Sequence, residues 1–236
     1  VVYADDLVDY FGVDAVRYYV LHEMPYDNDG NVTWELIAER LNSDLANTLG
    51  NLVNRTVSMI NKYFDGVIPE VTVTTDFDED LKNTCLECAK ETAVCMDKLK
   101  VADAMDCIWK IVNRSNKYID ETMPWVLAKS DEGRETLKTV MYNLVEAIRF
   151  IASLISSFMP DTSESIAKQT GATELSWESM SEFGKTQAGT KVGEPTPMFV
   201  RLDPEKKLAE LEEERIQHSS RKTDYGDKQN KIRRLI

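Results

Sequence analysis

Apolar residues recur at three- and four-residue spacing through most of the chain, and almost nowhere do they alternate as a strand would require. Two short amphipathic segments open the sequence, Asp5 to Tyr10 and Asp14 to His22. Met24 to Asn31 reads as a turn-rich loop, and Thr33 then stands where an N-cap would precede Trp34 and Leu36. A long helix follows, with Leu45, Leu49, Leu52, Val53, Thr56, Met59, Ile60 and Tyr63 on one stripe. It is expected to stop near Phe64, where Asp65-Gly66 and Pro69 follow. Further helices are predicted from Asp78 to Lys98, from Val101 to Asp120 and from Arg134 to Phe158, with Val71 to Thr74 as an extended connector. A shorter helix, capped by Asp161 or Thr162 and ended by Gly171, completes the set. Pro124 is expected to end the 101–120 helix and to project Trp125 from a bend.

These elements predict an all-α antiparallel helix bundle, preceded by a small N-terminal segment. The expected division is residues 1–35 as the small segment, 36–172 as the bundle, 173–205 as an irregular stretch packing back on it, and 206–236 as a charged C-terminal helix or tail. Within the irregular stretch, Leu175, Trp177, Phe183, Met198, Phe199 and Leu202 are the expected anchors, and Trp34, Trp109 and Trp177 are assigned to packing. The chain opens on Val1-Val2-Tyr3-Ala4, with neither an initiator Met nor a signal-like start. That reads as an excised piece of something longer.

Composition narrows the chemistry. A net charge of −13 argues against sequence-blind binding to phosphates, so any nucleic-acid contact must be local. Residues 215–236 carry seven basic against two acidic side chains, which leaves the remainder at −18 and reads as a solvated tail. The four cysteines lie in helical pattern, and only Cys85 and Cys88 have a metal-like spacing. They are expected to be buried free thiols in a reducing compartment, the cytoplasm. With two histidines, no glycine-rich loop and no nucleophile–base pair, no catalytic residue is assigned and no metal site is expected.

The asparagine-rich run Asn42 to Thr56 is the most informative stretch. Asn51, Arg55, Ser58 and Lys62 fall on the flank of the apolar stripe, and Asn51 and Arg55 are neighbours one turn apart. From periodicity alone the flank also fits a solvated face. Amide plus guanidinium nevertheless suits the hydrogen-bonding edge of a base, and an indole at a proline-made corner suits its face.

The string Asn42 to Gly66, the string Tyr118-Ile119-Asp120-Glu121-Thr122-Met123-Pro124-Trp125-Val126-Leu127-Ala128-Lys129, and the opening Tyr10 to Tyr19 together resemble the methionyl-tRNA synthetase family, specifically its anticodon-binding domain. Asp29-Gly30 with Trp34 is similar to the stem-contact region, and Pro197 to Asp203 to the end of the family's bundle. The likeness covers about residues 1–205. It implies that Asn51 and Arg55 hydrogen-bond the first base of a CAU anticodon, that Trp125 stacks on it, and that Asp120 and Pro124 shape the pocket. It implies tRNA(Met) and the catalytic domain of the same chain as partners, and no membrane. ATP, Mg2+ and the Zn2+ of the family's insertion would serve the full-length enzyme, with no cofactor in this piece. The Rossmann catalytic half, its His-Ile-Gly-His motif and its Lys-Met-Ser-Lys-Ser loop are absent, so this piece alone is expected to be inactive. The remaining alternatives are a helical protein-interaction scaffold and the anticodon domain of a sibling class I synthetase.

Overall fold

The computed structural model describes residues 4–24 and 32–203. The expected loop at 25–31, the Asp29-Gly30 pair within it and the tail at 206–236 lie outside the described residues. Helices α1 (Ala4–Phe11), α2 (Val13–Glu23) and α3 (Trp34–Arg40) open the fold. Leu41–Gly50 continues α3 in wider π-type turns and passes without a break into α4 (Asn51–Phe64). Then come α5 (Asp78–Asp97), α6 (Val101–Thr122), the single turn α7 (Pro124–Leu127), α8 (Asp131–Ile155) and α9 (Pro160–Thr170). Among the described residues there is no strand, only the isolated bridge of Val67 with Lys191. The fold is the expected all-α bundle.

The predicted stripes bury as periodicity requires. Leu45, Leu49, Leu52, Val53, Thr56 and Ile60 are fully enclosed, as are Met105, Ile108, Val112, Ser115 and Ile119 on α6. Thr33 caps α3, its hydroxyl accepting from the Leu36 amide at 3.2 Å. Asp65 closes α4 in the left-handed conformation, φ 51°.

Several details differ from the sequence-based expectation, among them the bounds of α8, which starts and ends three residues earlier than expected. Residues 41–50 take π-type turns, in which the N–H reaches back five residues. Leu41, Leu45 and Leu49, spaced by fours, bury along that wider spiral. The third long helix runs to Thr122, and the stop is Met123 in the left-handed region, φ 46°, not Pro124. α9 begins at Pro160, and its cap comes from elsewhere in the chain. Asp14 Oδ2 on α2 accepts from the Thr162 amide at 2.6 Å and from its hydroxyl at 2.7 Å. Trp177, expected to pack, is 52% exposed.

Asp14 acts together with Arg17, one turn further along α2. Arg17 donates to the Phe158 carbonyl at 2.6 Å and to the Ser157 carbonyl at 2.7 Å, just past the end of α8. An anion thus meets the start of one helix and a cation the end of another, which is the favourable sense for both helix dipoles. These contacts bind the opening segment to the bundle.

α8 lies at the centre, every residue from Thr139 to Ile155 being buried. Two of them are charged. Glu146 and Arg149 pair at 2.7 Å with almost no exposure of either side chain. Their remaining valences bind the irregular stretch. Glu146 accepts from the amides of Gly184 (2.8 Å), Lys185 (3.1 Å) and Thr186 (2.9 Å), while Arg149 donates to the Glu174 carbonyl (2.9 Å) and to Ser179 Oγ (2.8 Å). Burial alone would raise the Glu146 carboxyl, but hydrogen bonds from Arg149 and Thr186 outweigh it and hold the group below the ordinary glutamate range.

Removing one partner of a buried pair strands the other, so Glu146→Ala should destabilise the fold by about 3–5 kcal/mol in chemical denaturation. The carboxylate's contribution is complete above the unfolded value of about 4.3 and is lost as pH falls through the depressed native one. Acid titration of Glu146→Gln should therefore show less stability at neutral pH and a shallower loss below about pH 4.3 than the parent.

Candidate nucleic-acid interface

Asparagines along the rod from α3 to α4 divide into two uses. Asn42 and Asn61 serve structure: Asn42 exchanges hydrogen bonds with the backbone of Leu202 at 2.7 and 2.8 Å, and Asn61 donates to the Gly193 carbonyl at 3.0 Å. Asn51 lies on the open flank, exposed, and its side chain makes no hydrogen bond among the described residues. Sequence spacing alone could not separate these uses, since Leu202 and Gly193 lie more than 130 residues away.

That flank runs beside the second half of α6. Asn116 donates to the Thr48 carbonyl at 3.3 Å, and four residues further along α6 and seven further along the rod Arg55 Nη2 stands 3.8 Å from Asp120 Oδ1. The Arg55–Asp120 pair is loose and open to solvent, with side-chain exposures of 33% and 70%. The guanidinium thus lies near a carboxylate with donors to spare.

α6 ends two residues beyond Asp120. Met123, left-handed, turns the chain, and Pro124 occupies the first position of α7 with its ring buried, where its missing N–H costs nothing. Trp125 follows, 43% exposed beside the exposed Met123 and Val126. It projects from a one-turn helix after the corner rather than from the bend itself. Asp120 and Arg55 are thus brought into contact, and Asn51 lies one turn from Arg55. Trp125 follows at the same end of α6, with no ring partner among the described residues. An exposed indole of this kind is a ready surface for a flat, apolar-faced ligand.

The thiols offer no competing site. Cys85, Cys88 and Cys107 are buried, Cys95 is half-buried, and none is in a disulfide. Burial pushes Cys88 up to about 11 and Cys107 up to about 12, and holds Cys85 well above the usual thiol range. Among the described residues no group of three or more His, Cys, Asp or Glu could hold a metal ion, and no helix is long and apolar enough to cross a membrane.

Comparison with known proteins gives this helix bundle its class. Residues 1–57 match the family described as tRNA synthetases class I (M). Residues 68–218, well over half of the chain, match the anticodon binding domain of methionyl tRNA ligase, and the chain belongs to that family. Methionine–tRNA ligase of Caldanaerobacter subterraneus subsp. tengcongensis is 51% identical over 209 residues, covering 88% of this chain and 33% of the relative. The Bacillus subtilis enzyme of the same name is 44% identical over 207 residues, covering 86% and 31%. Free Mycobacterium tuberculosis methionyl-tRNA synthetase superposes with a TM-score of 0.81 at 33% identity, over 86% of this chain and 42% of that one. The chain thus spans about a third of the length of the curated relatives it matches.

Because both partners are partly exposed, the Arg55–Asp120 pair contributes little to folding. Asp120→Ala should shift stability by less than about 1 kcal/mol in thermal or chemical unfolding, leaving Arg55 in place on α4.

Proposed function

We propose that this chain is the anticodon-reading module of a methionine–tRNA ligase, serving ATP-dependent attachment of methionine to tRNA(Met) by the full-length cytoplasmic enzyme. Asn51 and Arg55 hydrogen-bond the Watson–Crick edge of the first anticodon base, the cytosine of CAU. Trp125 stacks on its face. Asp120 keeps the guanidinium aimed along the α4–α6 flank until RNA competes for it, and Pro124 fixes the corner from which the indole extends. Residues 1–35 are the end of the catalytic part with its stem-contact segment, 36–172 the anticodon-binding bundle, 173–205 the stretch that packs back on it, and 206–236 a charged tail.

One observation carries this reading: unspent donors on α4 and an exposed indole after the corner at the end of α6, in a chain whose global charge repels phosphate. A protein with a net charge of −13 gains little from the RNA backbone, so selection must come from edges and stacking. Arg17 and Asp14 link the opening segment to the bundle, giving a firm joint through which the module would be oriented towards the catalytic part. The residues present do not fit the nucleotide or metals that the full enzyme would use. No phosphate-cradling loop occurs, and the C-x-x-C thiols are held protonated by burial. Binding of ATP, Mg2+ and Zn2+ is accordingly assigned to the rest of the polypeptide.

The test compares the full-length enzyme's affinity for tRNA bearing CAU with that for tRNA altered at the first anticodon base. Arg55→Ala and Trp125→Ala should each weaken binding of the CAU tRNA by about 1–3 kcal/mol with the helical content unchanged. Undiminished affinity in both variants, or equal affinity for both tRNAs, would reject the proposal.

A further inference from the structure

We infer that Gly133, in the first turn of α8, is the positioning residue for Trp125, an inference that rests on the indole's proposed role. α7 is a single turn anchored at its two ends, by buried Pro124 and by Leu127, which packs half-buried against the core. Trp125 and Val126 are exposed, Leu127 is half-buried, and only Pro124 is enclosed. Its carbonyl end is seated against Gly133. A Cβ built on Gly133 would lie 2.3 Å from the Leu127 carbonyl oxygen, 3.0 Å from its carbon and 2.9 Å from Ser130 Oγ.

None of these neighbours can give way cheaply. The Leu127 oxygen is backbone, so moving it moves α7. Ser130 Oγ is already engaged as the cap of α8, accepting from the Gly133 amide at 3.1 Å. Gly133 lies within a right-handed helix, so conformational freedom does not explain a glycine there, and glycine is a poor helix former. The missing side chain is what admits the Leu127 carbonyl. At the other end, left-handed Met123 fixes where α7 begins, and amides of Val126 and Leu127 donate back to its carbonyl at 2.8 and 3.3 Å. A methyl group at 133 must push the turn outward by on the order of 1 Å to restore ordinary contact, and Trp125, midway along it, moves with it.

The experiment uses the full-length enzyme labelled with 5-fluorotryptophan, which has one 19F resonance from this chain for each of Trp34, Trp109, Trp125 and Trp177. The Trp125 signal is identified by Trp125→Phe. Gly133→Ala should shift the Trp125 resonance and leave the other three in place. It should weaken CAU-tRNA binding at least fivefold, leave methionine-dependent ATP–pyrophosphate exchange unchanged, and weaken binding less than twofold further when Trp125→Ala is already present. An unmoved Trp125 resonance, movement of all four, loss of the fold, or an undiminished effect in the Trp125→Ala background would each overturn the inference. Trp125→Ala with full tRNA affinity would instead reject the anticodon role of the indole, while the 19F shift would still report on the seat itself.

Discussion

The Glu146–Arg149 pair is the interaction on which the rest of the bundle depends. Two opposite charges at the centre of α8 are expensive to strip of water, and their mutual attraction alone would not repay that cost. What repays it is that every remaining donor and acceptor finds a partner in residues 174–186. A stretch with only a 3-10 turn of its own is thereby given a fixed path. Tyr142 adds a hydrogen bond to the Thr186 carbonyl at 2.7 Å, and a little further along Gly193 accepts from Asn61 of α4 and Lys191 forms the isolated antiparallel bridge with Val67 just past that helix. The central helix is thus both the core of the bundle and the post to which its least regular part is tied.

A second polar device couples the opening helices to that body. Asp14 and Arg17 grip the junction between α8 and α9 from one face of α2, each meeting the helix end whose dipole it complements. Asp14 keeps one oxygen buried without a partner among the described residues, a cost that the two strong bonds to Thr162 must cover. The outcome is a bundle whose orientation relative to its first helices is set by directional hydrogen bonds as well as by apolar contact.

Much of this was legible in the chain. The stripes of α4, α6 and α8 buried as their spacing predicts, and Thr33, Asp65 and Gly171 mark ends that local chemistry foretells. Asn51 with Arg55 was readable because an i, i+4 pair is a local fact. The carbonyl cap from Arg17, the long-range cap from Asp14 and the Glu146–Arg149 network were not, because each depends on residues 25 to 148 positions away that pattern alone does not bring together. Trp177 illustrates the opposite error. An indole in an irregular stretch is expected to pack, yet it lies half in solvent beside Ala89 and Ala93 of α5, because the stretch is anchored by its backbone and leaves the ring uncommitted.

The π-type turns at 41–50 have a consequence for how this family can vary. Loops elsewhere in the fold can absorb a gained or lost residue at the surface. A single deletion between Leu41 and Gly50 removes the turn of one residue, about 100° in an ordinary helix, but wide turns advance less per residue, so tightening towards α geometry acts against that loss. The azimuth of α4 relative to α6 is thereby buffered against a change of length at this place. The decade is a reserve of chain inside an otherwise regular rod.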